Sequence, residues 1–170
     1  DGDCLTDREI VGFCILLLIA GNETTTNLLG NLPNIAAGRP DVWGELHRNP
    51  ARIDAAVEET LRFDAPVQFL MRKATRPMRY YGEEVAAGDN VTVVMAAANR
   101  DPRIYDRPAE FRLDRKKNRH HTFGFGIHFC LGAPLARMEA RLALKALTER
   151  FARVEHPSES PGSDERVPSP

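Results

Sequence analysis

Gly124, Gly126 and Gly132 bracket Cys130 in the run Phe123-Gly124-Phe125-Gly126-Ile127-His128-Phe129-Cys130-Leu131-Gly132. Glycines at this density let a backbone approach a flat ligand closely and turn amide N–H groups back toward the sulfur. Ala133-Pro134-Leu135-Ala136-Arg137 then opens a helical pattern. Cys130 therefore falls at or just before a helix N-terminus, where the dipole and unpaired N–H groups favour a negative sulfur. A thiolate held this way suits a metal ligand or a nucleophile. A bare Gly-x-x-x-Cys-x-Gly also describes a small buried cysteine beside a turn. The whole pattern, with an arginine-bearing helix behind it, is far more specific.

The rest of the chain narrows the classes. Three cysteines, Cys4, Cys14 and Cys130, are too few and too scattered for a disulfide framework, and fit a reducing cytoplasm. No Cys-x-x-Cys or Cys/His cluster suggests zinc. A net charge of −1 with interspersed signs gives no reason to expect nucleic acid. The apolar run from Ile10 to Ala20 is shorter than the about 20 residues that span a bilayer, and no secretory leader precedes it. It reads as a buried core helix, with Cys14 as packing.

Thr6-Asp7-Arg8-Glu9 is a capping box, and the helix it opens should run to about Leu32, with Pro33 ending or kinking it. A second helix is expected from Pro40 to His47. Asn49-Pro50 then looks like the N-cap of a third, with a core stripe at Ile53, Val57 and Leu61 and an end near Phe63. Short strands follow at Val67–Arg72, Met78–Tyr81 and Val91–Ala96, with turns at Tyr81-Gly82 and Gly88-Asp89. Asn99 to Thr122 is polar and irregular, a length of connection that is usually functional or poorly ordered. The helix after Cys130 should reach about Arg150. His156 to Pro170 is rich in Pro, Ser and charge and reads as a disordered tail. The fold class is mainly α with small β-sheets.

Two further segments carry chemical hints. Ala20-Gly21-Asn22-Glu23-Thr24 places an acid and a hydroxyl at the end of the apolar run. A threonine there can bond back to the carbonyl four residues earlier and loosen the helix. Glu58-Glu59-Thr60-Leu61-Arg62 puts Glu59 and Arg62 at i and i+3 on one face, with Glu58 and Arg62 as the i+4 alternative.

Together these segments resemble the cytochrome P-450 family, the haem-thiolate monooxygenases, in its soluble bacterial type. The resemblance runs from Asp1 to about Phe151 with the elements in family order. It implies that Cys130 is the axial ligand of the iron of haem b (iron protoporphyrin IX) and pushes electron density to favour O–O cleavage. Phe123, Gly126 and Gly132 would shape the haem loop. Ala20 would leave room for dioxygen, and Glu23 and Thr24 would manage protons. Arg72 and His128 would partner the haem propionates. Glu59, Arg62 and Arg115 would form a structural triad rather than a chemical one. The basic run of Arg112, Arg115, Lys116, Lys117 and Arg119 would steer an acidic electron donor, such as a ferredoxin or a flavin reductase.

The implied activity is oxidation of a small apolar substrate by dioxygen, in the cytoplasm, without a membrane or nucleic-acid partner. Against the family, the N-terminal portion that roofs the substrate pocket is missing. Residues 1–155 are therefore expected to be the C-terminal portion of the haem domain, with 156–170 as the tail. The chain alone is not expected to turn over substrate. The alternative is a non-catalytic haem-binding remnant or an inactive truncated fragment.

Overall fold

The computed structural model of this chain describes residues 4–116 and 118–157. Helix α1 (Asp7–Ala37) begins as its sequence demands: Thr6 Oγ1 accepts the Glu9 N–H, and Glu9 Oε2 accepts the Thr6 N–H at 2.8 Å. Pro33 does not end it. A proline inside a helix costs about 3 kcal/mol. Here Leu28, Leu32 and Ala36, one stripe at four-residue spacing and all buried, hold the last turns in the core. Packing outweighs the lost N–H.

Helix α2 (Pro40–Arg48) buries Val42, Trp43 and Leu46. Asn49 makes no side-chain cap. Residues Pro50–Arg52 form a 3₁₀ turn first, and α3 (Ile53–Phe63) starts after it. Leu28, Leu29 and Leu32 of α1 meet Val57 and Thr60 of α3, and Ala140 and Leu144 of α5 (Ala133–Arg150), around one small apolar gap. Helix α2 latches the far end of α5: Trp43 Nε1 donates to the Phe151 carbonyl at 2.8 Å, and His47 Nδ1 lies 2.7 Å from the Thr148 carbonyl.

Two antiparallel pairs flank this helical core. β1 (Phe69–Lys73) pairs with β4 (Asn90–Val94), Met71 opposite Thr92. β2 (Met78–Tyr80) pairs with β3 (Glu83–Val85), a strand the sequence pattern left unassigned. Tyr81 and Gly82, both at positive φ (50° and 93°), make the tight turn between them. β4 is also shorter than expected, because Met95–Ala98 turns helical as α4.

The apolar run of α1 is exposed rather than buried. Leu18 is 71% and Ile19 64% exposed, and Cys14 is exposed with them. All the buried residues of α1 lie in its C-terminal half, where α2, α3 and α5 pack. By length and composition α1 could cross a membrane, but its second half is committed to the core. The expected tail is 156–170, of which residues 158–170 lie outside those described.

Candidate functional site

The Cys130 loop is pinned at its base. The Cys130 N–H donates to the Phe123 carbonyl at 2.8 Å, the Gly124 N–H to His121 at 2.8 Å, and the Phe129 N–H to Gly126 at 3.0 Å. Gly124 and Gly126 sit at φ +75° and +65°, where a side chain is strained, and a Cβ on Gly124 would lie 3.3 Å from the His128 carbonyl. Gly132 has an ordinary φ of −81°. A Cβ there would stand 3.8 Å from Cys130 Sγ, an ordinary contact, so neither backbone nor space demands glycine at this position. Among the described residues no N–H donates to that sulfur.

The sulfur is exposed, and so are Phe125, Ile127 and Leu131 around it, each more than 80% exposed. Among the described residues no group of three or more His, Cys, Asp and Glu could hold a metal ion. One soft donor cannot cage a bare ion. It does fit a metal already held within an organic group, and the apolar side chains beside it fit the apolar surface such a group would present. The residues present therefore fit haem.

On α1, Thr24 Oγ1 donates to the Ala20 carbonyl at 2.7 Å, the back-bond its position suggested. Glu23 is exposed beside it and Thr24 is half-buried. Leu28, one turn on, packs near Ala140 and Leu144, on the helix that Cys130 leads into. That contact ties the two segments into one body. Arg72 is exposed on β1 and donates to the Met71 carbonyl. His128 is exposed in the loop.

Beneath the loop lies a buried charge network. Arg62 donates to Glu59 at 2.8 and 2.7 Å and to the carbonyls of Asn99, Pro108 and Glu110 at 2.9–3.0 Å, which uses all its N–H groups. Glu59 also accepts from the Arg112 N–H and Arg115 Nε, both at 2.9 Å, and from Asn118 at 3.1 Å. The partner of Arg62 is Glu59, not Glu58. This network absorbs part of the basic run. Arg115 is buried on Glu59, and Arg112 is paired with Asp106 and Asp114. Lys117 lies outside the described residues.

Three residues with no sequence signal complete the support. Asn99, fully buried, donates to Thr122 Oγ1 at 3.0 Å and accepts the His121 N–H at 2.7 Å. Thr122 in turn donates to the Leu61 carbonyl at 2.6 Å. Asn118 is the third, on Glu59.

Glu58 faces the other way. Burial pushes its carboxyl up, but the His120 N–H and the Arg137 guanidinium outweigh that and hold it down at about 2. The folded value lies below the ordinary 4.5, so the stabilisation is complete above about pH 4.5 and is lost as pH falls toward 2. A carbon-detected NMR titration of the Glu58 carboxyl should show its midpoint near 2; a midpoint at the ordinary 4.5 would contradict the contact.

Residues 52–167 match the family model for Cytochrome P450. Cytochrome P450 109 of Bacillus spizizenii is 43% identical over 170 residues, covering 100% of this chain and 42% of that protein. CYP109E1 of Bacillus megaterium, solved in complex with testosterone, is similar with TM-score 0.89 and 44% identity, over 94% of this chain and 45% of that one. CYP109B1 of Bacillus subtilis is similar with TM-score 0.86 and 47% identity, over 91% and 43%. The chain spans about 40% of the length of the curated relatives it matches.

Proposed function

This chain belongs to the cytochrome P450 family, and on that premise we propose that it carries the thiolate side of a haem-dependent monooxygenase. The reading takes haem b as cofactor and Cys130 as its iron ligand. It takes dioxygen and a small apolar organic compound as substrates. A redox partner, a ferredoxin or a flavin reductase, delivers the electrons. The observation that carries it is the exposed Cys130 sulfur on a loop pinned at Phe123, Gly124 and Gly126, surrounded by exposed apolar side chains. The testosterone complex of CYP109E1 supports an apolar substrate class, and the bacterial relatives support a cytoplasmic location.

Bound haem supplies the redox centre at which dioxygen is reduced. Cys130 holds it from one side as the thiolate. Thr24 spends its hydroxyl proton on the Ala20 carbonyl, so its oxygen faces outward as an acceptor that can hold a water. Glu23, exposed one residue earlier, can take a proton from solvent and pass it to that water. Ala20 and Gly21 add little side-chain bulk beside Thr24. Arg72 and His128 supply donors for the propionates, and Phe123, Gly126 and Gly132 shape the loop.

Thr24→Ala tests the proton path. It should be made in a hybrid whose matching segment of CYP109B1 is replaced by residues 6–151 of this chain. Haem content should stay unchanged, while product per electron pair falls by roughly tenfold and peroxide rises, because ordered proton delivery is worth that much or more. Unchanged coupling would remove Thr24 from the path.

A further inference from the structure

A second charged cluster lies beside the Glu59 network and touches the Cys130 loop directly. Glu58 Oε1 accepts from Arg137 Nε at 2.6 Å, and Glu58 Oε2 accepts from Arg137 Nη2 at 3.1 Å. His120 Nε2 lies 3.2 Å from the same Oε2. The His120 Nδ1 accepts the Thr122 N–H at 3.3 Å, which leaves Nε2 as the donor to Glu58. The His120 side chain is 2% exposed and Glu58 29%. The Arg137 guanidinium stands over the Phe123 ring, 4.5 Å from its centroid, and the His120 ring is 5.9 Å from the same ring. Phe123 supplies the carbonyl that binds the Cys130 N–H.

Glu58 therefore grips both flanks of the loop. Through Arg137 it holds the helix that Cys130 leads into. Through His120, and through Arg137 stacked on Phe123, it holds the strand of chain that enters the loop. A bidentate charged fork is both stronger and more directional than neutral bonds, so it suits a fixed orientation. The planar guanidinium also serves as the surface on which Phe123 rests.

We propose that Glu58 is a positioning residue for Cys130: by fixing Arg137 over Phe123, with His120 beside it, Glu58 sets the loop backbone that carries the sulfur. The functional meaning of this clamp rests on the reading of Cys130 as the haem ligand, but the clamp itself does not. Glutamine at this position keeps the size yet cannot serve three donors, because its amide group is itself a donor. Lysine at position 137 keeps the charge but loses the fork and the stacking plane.

Residue-resolved amide hydrogen exchange on the full 170-residue chain tests this without haem. In Glu58→Gln and in Arg137→Lys, the Cys130 amide should exchange on the order of tenfold faster, the loss expected for one charge-assisted contact. Leu32 and Leu46, in α1 and α2, should keep their protection. Unchanged exchange at Cys130 in both variants would overturn the clamp. So would an equal loss at Leu32 and Leu46, which would make Glu58 a residue of general stability. A protein whose Cys130 amide responds as expected but which never ligates haem would overturn the proposed function and leave the clamp standing.

Discussion

Arg62→Ala is expected to abolish the cooperative unfolding transition of this chain at room temperature. The substitution leaves Glu59 fully buried without its two-bond partner, and removing one partner of a buried pair costs about 3–5 kcal/mol. It also strips a donor from the carbonyls of Asn99, Pro108 and Glu110. The Glu110 carbonyl keeps its Arg115 donor, but the fully buried Asn99 carbonyl loses its partner, which adds about 1–3 kcal/mol. Together these reach the lower end of the roughly 5–15 kcal/mol that holds an ordinary domain together. Arg62→Lys should rescue little, since an ammonium has too few donors and no fork. Urea unfolding followed by circular dichroism checks this. A midpoint close to that of the unsubstituted chain would show that Arg115 and Asn118 suffice to hold Glu59.

The same network shows what a linear reading can reach. Glu59 and Arg62 share a helix face at i and i+3, and the family resemblance selects Glu59 over Glu58 and adds Arg115 by its offset from Phe123, so this triad was legible in the sequence once that resemblance was drawn. The Cys130 loop, the capping box at Thr6 and the extent of α5 were legible for a similar reason: each is governed by residues a few positions apart. Asn99, Asn118 and Thr122 were not. Their partners lie 22 to 61 residues away, and nothing in their local sequence marks a polar side chain that will be buried.

Glu58 shows the limit most clearly. On the helix it could be read only as a rival for Arg62, because its real partners, His120 and Arg137, lie 62 and 79 residues on. The basic run was legible only in part. Composition shows its charges but not that Arg115 is buried on Glu59 and Arg112 is paired with two aspartates. At Pro33 local propensity lost to packing at Leu32 and Ala36. In the first half of α1, apolar character foretold burial, and the described residues offer nothing there to bury it.

Cys130→Ser should have the largest effect on chemistry. A serine hydroxyl matches the thiol in shape but remains protonated at neutral pH and is a hard, weak donor, whereas a thiolate is soft and charged. The loop geometry should survive, because its hydrogen bonds run through the backbone of Phe123, Gly124, Gly126 and Phe129 rather than through the sulfur. The change therefore isolates the ligand from the fold. Cys4 and Cys14 lie near or on the exposed first turns of α1 and serve as controls. The decisive measurement is the carbon monoxide difference spectrum of a reduced CYP109B1 hybrid carrying residues 4–151 of this chain. Cys4→Ser and Cys14→Ser should keep the red-shifted thiolate band, and Cys130→Ser should lose it completely. A thiolate band that persists in Cys130→Ser would contradict the assignment of Cys130 as the haem ligand.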